Sequence, residues 1–244
     1  MNALRAYVLR LKFAVRSTVA REPGLALLHR PVIWWQQYKI LRYYRRHGAT
    51  IRDCVVGAHT DFVLDGFQGS GNSFAAAAVE RSQERSVQLA HHMHAPAQII
   101  AGVRRGLPTL VTLRPPTGAV ASLTSRWPYV TLPQALRCYA RFYRKIEPYA
   151  EGFVISPFAK TTGALGEVIR TVNQRFGTDF APFEHTEENM RALRPHGEPR
   201  SEEERARQAR KAEKKAALQR PACRKPLAEA QAVHRRMTQR AETN

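Results

Sequence analysis

One stretch constrains this chain more than any other: Asp61-Phe62-Val63-Leu64-Asp65-Gly66-Phe67-Gln68-Gly69-Ser70-Gly71-Asn72-Ser73-Phe74. The apolar run at 62–64 predicts a short buried strand, and the alanine-rich run at 75–79 predicts a helix. Between them the three glycines allow backbone N–H groups to converge on an anion. The helix that follows adds unpaired N–H groups and the positive end of its dipole. Ser70 and Ser73 can add hydroxyl donors and Asn72 an amide donor. A Gly-rich turn that binds nothing has the same local pattern, so the stretch alone leaves both readings open.

Gly66, four residues, then Gly71-Asn72-Ser73 is the Walker A spacing of a P-loop with Asn in place of Lys. Further along, residues 87–89 and Thr109–Leu113 predict strands, with helices at 73–85 and 97–104. Thr131 with Gln134 forms a capping box that opens a helix to about residue 149. A strand at 152–155 and a helix from Thr161 or Thr162 to Phe176, stopped by Gly177, complete the pattern. Strands alternating with helices predict a parallel sheet covered on both faces.

Two further clusters bear chemistry. His91-His92-Met93-His94-Ala95-Pro96 follows the second predicted strand, at the end where α/β proteins place active-site groups. Metal binding, plain surface histidines and acid–base work are all readings of this run, and no nearby Cys, Asp or Glu completes a metal site. Arg114-Pro115-Pro116 ends the next strand, and Ser122 lies eight residues after Arg114, about two turns into a helix. An Arg fork and a Ser hydroxyl so placed can meet around one phosphate.

In combination these motifs make residues 61–180 resemble the sulfotransferases that use 3′-phosphoadenosine 5′-phosphosulfate (PAPS), a branch of the P-loop fold. Ser70-Gly71-Asn72-Ser73-Phe74 matches the family's phosphosulfate loop except for its leading Lys or Arg, where Gly69 stands. Arg114, Pro116 and Ser122 match its 3′-phosphate motif, and His94 with Pro96 matches its catalytic His and Pro, with His92 at a Lys position. The late Arg-Lys-Gly motif of the family is not recognisable. The resemblance implies a three-layer P-loop NTPase-like α/β domain of sulfotransferase type. It implies PAPS held by Gly69, Ser70, Gly71, Asn72, Ser73, Phe74, Arg114 and Ser122, with His94 as base and no metal required. His92 is the candidate to replace the charge that Gly69 lacks. The acceptor is a hydroxyl of a glycan, lipid or small alcohol. A catalytically inactive paralogue that binds anionic glycan or membrane is an alternative. An ATP- or GTP-using protein is disfavoured, because Asn72 replaces the P-loop Lys and Thr109–Leu113 ends in Arg114 rather than a Walker B carboxylate.

The formal charge of +19 is carried unevenly. Residues 1–52 hold eleven Lys and Arg against one acid, residues 53–183 thirteen against nine, and residues 184–244 fifteen against ten. This places the excess on the flanks of a mildly basic core and argues against a nucleic-acid platform. The chain therefore divides into a basic amphipathic extension (1–54), a P-loop domain (55–185) and a charged, helical or partly disordered tail (186–244). In the first part, residues 2–21 predict an amphipathic helix, read as docked on the core, lying on an anionic membrane, or serving as a presequence. Residues 31–47 predict a second basic, aromatic helix, and residues 221–244 a mobile end. Cys54, Cys138 and Cys223 are far apart and odd in number, which fits a reducing, cytoplasmic setting, peripheral to a membrane where the basic helices attach. No apolar run reaches the roughly 18 residues of a membrane span.

Overall fold

The computed structural model describes residues 3–22, 54–193 and 202–243. Helix α1 (Ala3–Val19) precedes a core of β1 (Phe62–Gly66), α2 (Asn72–Ser82), β2 (Leu89–His91), α3 (Pro96–Arg104), β3 (Thr109–Leu113), α4 (Pro116–Arg126) and α5 (Leu132–Ile146). A 3-10 turn (Glu147–Gly152), β4 (Val154–Pro157), α6 (Phe158–Gly163), α7 (Leu165–Phe176) and α8 (Glu187–Leu193) follow, then α9 (Glu202–Ala217) and α10 (Pro221–Thr243). The helix expected at 31–47 lies outside the described residues.

The four strands form one parallel sheet in the order β2-β1-β3-β4. Every residue of β1 and β3 is buried, as befits strands covered on both sides. Alternate side chains divide between two apolar layers. Phe62, Leu64, Leu110 and Val154 pack with α2 and α7, while Val111, Leu113 and Ile155 pack with α3, α4, α5 and α10. The architecture is thus a three-layer α/β fold. The chain steps from β1 to β2 on one side and returns past β1 to β3 on the other. The carboxyl ends of β1 and β3 therefore flank a switch point, where such sheets hold their ligands.

Several elements differ from the sequence-based expectation. β2 begins two residues later than expected, because its register pairs Phe62 with Leu89 and Leu64 with His91. His91 is consequently a buried strand residue rather than part of the turn. The single helix expected from Thr161 breaks at Ala164, giving α6 and α7. The largest correction concerns the end of the tail, expected to be mobile. α10 lies on α5, and Cys223, Ala230, Val233 and Met237 are buried in the main apolar layer. α1 is docked as well. Phe13 is buried edge-on to Trp127, and the Ala97 N–H donates to the Ala20 carbonyl at 3.1 Å.

Candidate functional site

The loop after β1 is held from inside by its own side chains. Asn72 is buried, and its Nδ2 donates to the carbonyls of Gly66 and Phe67, both at 3.2 Å, while its Oδ1 accepts from Thr112 Oγ1 at 2.6 Å. Ser70 is fully buried, with Oγ 3.4 Å from Tyr143 Oη. Tyr143 in turn donates to the Thr112 carbonyl at 2.8 Å, which fixes the loop against the end of β3. Ser70 and Asn72 therefore offer a ligand their main chain, not their side chains. Phe74 turns away from the loop towards Phe183 and His185. What faces outward is the N-terminus of α2, with its unpaired N–H groups, and the exposed Ser73 hydroxyl.

Gly69 and Gly71 both adopt left-handed backbone angles, φ 82° and φ 100°. A Cβ on Gly69 would lie 2.9 Å from Ser122 Cβ and 3.0 Å from the Ala119 carbonyl. The space a side chain at position 69 would need is therefore closed by α4. The same contact brings Ser122 against the loop. Arg114 joins them: its Nη1 donates to the Gly69 carbonyl at 2.8 Å, and its guanidinium lies 3.9 Å from the centre of the Phe158 ring. Burial lowers its pKa from the usual guanidinium range.

The turn after β2 is tied to the loop by Asp65. This fully buried carboxylate accepts the N–H groups of Gly66 (2.9 Å), His94 (3.1 Å) and Ala95 (3.4 Å). It holds a turn in which His92 and His94 both have left-handed φ, 61° and 52°, a conformation that is uncommon outside glycine. His94 Nδ1 lies 2.9 Å from the Gly66 carbonyl. Because a carbonyl can only accept, the geometry assigns the hydrogen to Nδ1 and leaves Nε2 with its lone pair. Asp65 Oδ1, 3.5 Å from Nδ1, stands ready to steady an imidazolium.

The other two histidines have different environments. His91 Nε2 lies 3.6 Å from Cys54 Sγ, its Nδ1 meets His92 Nδ1, and burial pushes its pKa down to about 4. His92 Nε2 lies 2.9 Å from Ser73 Oγ, and burial with the neighbouring His91 and His94 pushes it down to about 2. His92 is thus neutral at physiological pH. The expected role as a substitute cation does not hold, because the site desolvates the ring and surrounds it with other rings.

Cations reach the loop by another route. α9 packs along α4, which carries Ser122 and Arg126. Lys211 on α9 feels the charges of Arg114 and Arg207, and Arg126 feels Arg207; none of Arg114, Arg126, Arg207 and Lys211 is ion-paired among the described residues. Sequence reading found Arg114 but missed Arg126, Arg207 and Lys211. Their signal was the Arg207/Lys211 pair, spaced one turn apart on a helix otherwise rich in charge. A cleft of about 360 Å³ lined by His94 opens between α1 and α5. Among the described residues no group of three His, Cys, Asp or Glu side chains could hold a metal ion, and no helix is long and apolar enough to cross a membrane. No protein-family model, curated protein or solved structure matches the chain.

Proposed function

We propose that the protein transfers a sulfuryl group from PAPS to an acceptor hydroxyl. One observation carries this reading. The glycine loop, Arg114 with Ser122, and a histidine whose Nε2 is left as a base meet at the carboxyl edge of the sheet, at its switch point. The residues fit such a nucleotide. Left-handed Gly69 and Gly71 turn the loop's backbone at the N-terminus of α2, and cations lie on its α4 side. When bound, PAPS supplies a sulfuryl group already activated by a phosphate leaving group. The N–H groups at the start of α2 and the Ser73 hydroxyl hold the leaving phosphate. Arg114 and Ser122, supported by Lys211 and Arg207, hold the 3′-phosphate. His94 Nε2 takes the acceptor proton, and Asp65 stabilises the resulting imidazolium through Nδ1. Asp65 is enclosed by three N–H donors, so it is not presented to Mg²⁺, which weighs against ATP or GTP chemistry.

Calorimetry tests this. 3′-Phosphoadenosine 5′-phosphate binds without Mg²⁺ and more tightly than ADP, and Arg114→Ala weakens it by about 1.5–3 kcal/mol, the value of a hydrogen bond to a charged group. Equal affinity for ADP removes the 3′-phosphate assignment. Nucleotide binding without turnover on any acceptor leaves a non-catalytic binding module.

Peripheral attachment to an anionic membrane is part of the same proposal, supported by α1. Tyr7, Val8, Leu11 and Val15 are exposed on it, with Arg5 and Lys12 alongside. Co-sedimentation with anionic liposomes falls at high salt and with Leu11→Ser/Val15→Ser. Absence of binding at low salt refutes it.

A further inference from the structure

The cleft between α1 and α5 has an unusual wall. Five arginines line it: Arg10, Arg16 and Arg21 from α1 and the turn after it, and Arg137 and Arg141 from α5. Among the described residues no carboxylate does. His94 and Gln68 of the glycine loop also line it. Around the arginines stand Ser17, Thr18, Thr131 and Gln134, small polar groups that suit a partner rich in hydroxyls.

Like charges at this density repel one another, and an exposed protein surface gains nothing by assembling them. Here they are arranged by the fold. Arg10 Nε donates to the Tyr129 carbonyl at 2.7 Å, and the Arg10 carbonyl accepts from Gln134 Nε2 at 3.2 Å, so α1 is aligned on the start of α5. The Arg21 Nη2 reaches Thr18 Oγ1 at 3.2 Å, but its Nε is buried with no hydrogen-bond partner. A buried donor left unmade costs free energy, and an anion in the cleft would satisfy it. Of the nearby acids, Glu22 is paired with Lys145 at 2.8 Å, and Asp65, whose charge reaches Arg16, also holds the backbone of the loop and the His94 turn. The arginines also crowd the Cys138 thiol, which feels Arg141, Arg21 and Arg137 together. Lipid vesicles and neutral alcohols fit this wall poorly. The first need a broad exposed face rather than a cleft, and the second bring no negative charge to the arginines.

We infer that this cleft is the acceptor site and that it selects an acidic saccharide, one that presents a hydroxyl to His94 and carboxylates to the arginines. The inference rests on the sulfuryl-transfer reading and names the substrate class for it. Several fork-shaped donors around one cleft recognise carboxylates at fixed separation, whereas hydroxyl groups between them meet the Ser, Thr and Gln side chains.

The test uses the full chain and two tetrasaccharides of similar size, hyaluronan tetrasaccharide with alternating glucuronates and neutral chitotetraose, each titrated with and without 3′-phosphoadenosine 5′-phosphate. Hyaluronan tetrasaccharide binds, and chitotetraose binds at least about tenfold more weakly. Arg137→Gln/Arg141→Gln, two exposed positions on α5, lowers hyaluronan affinity by about tenfold or more while nucleotide affinity, the control for an intact fold, is unchanged. Equal affinity for the two saccharides overturns the inference, as does binding of anionic vesicles through these two arginines without saccharide binding. Nucleotide binding with no saccharide discrimination refutes the acceptor site and leaves the sulfuryl-transfer reading standing. Saccharide discrimination with no nucleotide binding does the reverse, since the cleft is then an acidic-saccharide site on a protein with another function.

Discussion

The two basic extensions, α1 at one end and α9–α10 at the other, meet the same core in different ways. α10 is secured by burial, with Cys223, Ala230, Val233 and Met237 inside the main apolar layer, and it brings α9 with it across α4. α1 is secured by far less. Phe13 is its buried residue, with Ala20 buried just after it, and hydrogen bonds to α3, α5 and the turn between α4 and α5 and the Glu22–Lys145 ion pair add to its hold. Yet each extension delivers cations to one side of His94: Arg207 and Lys211 on the α4 side, Arg10, Arg16 and Arg21 on the α5 side. Net charge alone does not separate these roles. What separates them is how much apolar surface each helix offers the core, because burial fixes a helix rigidly while charge only orients it.

The largest expected effect falls on the residue between the two. His94→Ala lowers turnover by about 10²–10⁴-fold, the usual contribution of a general base, while nucleotide affinity stays unchanged. His91→Ala leaves turnover within a few-fold, because that ring faces Cys54. Full turnover in His94→Ala means that the two cationic flanks share no catalytic centre. Next comes stability. Met237→Ala costs about 2–5 kcal/mol in urea unfolding, as for a buried side chain truncated to a methyl group. Val15→Ala on the outer face of α1 changes it by no more than about 0.5 kcal/mol. Comparable losses at both sites erase the difference in attachment.

The smallest effect concerns pH. His91 and His92 are held below their ordinary 6.5 in the folded chain, at about 4 and about 2, and regain 6.5 on unfolding. Below pH 6.5 the unfolded chain binds protons that the folded chain does not. Stability is therefore fully present above 6.5 and falls as pH drops towards 4. The loss attributable to His91 is on the order of 1 kcal/mol per pH unit, and His91→Asn flattens this part of the urea-midpoint profile. A flat wild-type profile would mean that the two rings titrate in the folded chain as they do in the unfolded one, and then below pH 6.5 they join the extensions as a source of positive charge at the loop.

Much of the core was legible in the sequence because its signals are local. The run Phe62–Gly66, the glycines and the alanines after them specify strand, turn and helix. The Thr131 cap holds as expected, its Oγ1 accepting from the Gln134 N–H, although the Gln134 side chain goes to Arg10 rather than closing the box. Which side of the loop each residue faces was not legible. Ser70 and Asn72 read as ligand groups by type, but the close approach of β3 at Thr112 and of Tyr143 turns them inward. The neutrality of His92 depends first on its burial in the fold, which the local sequence does not show. The docking of α10 was available in principle: Cys223, Leu227, Ala230, Val233 and Met237 recur at helical spacing, but the surrounding Lys and Arg obscured the stripe. The five-arginine cleft draws on two segments more than a hundred residues apart, and no local pattern could announce it.

The hydrogen bond from Arg114 to the Gly69 carbonyl has a consequence for how a long ligand is held. It joins the end of β3 to the glycine loop, so the places proposed for a 3′-phosphate and a 5′-phosphate belong to one body rather than two. A nucleotide bearing both groups acts as a chelate: once one end is seated, the other finds its partners at high effective concentration. Adenosine 3′-phosphate and pyrophosphate, offered as separate fragments, must each be immobilised independently. Their combined occupancy at equal concentration falls well below that of the intact bisphosphate, and the shortfall measures the stiffness of the link that Arg114 provides.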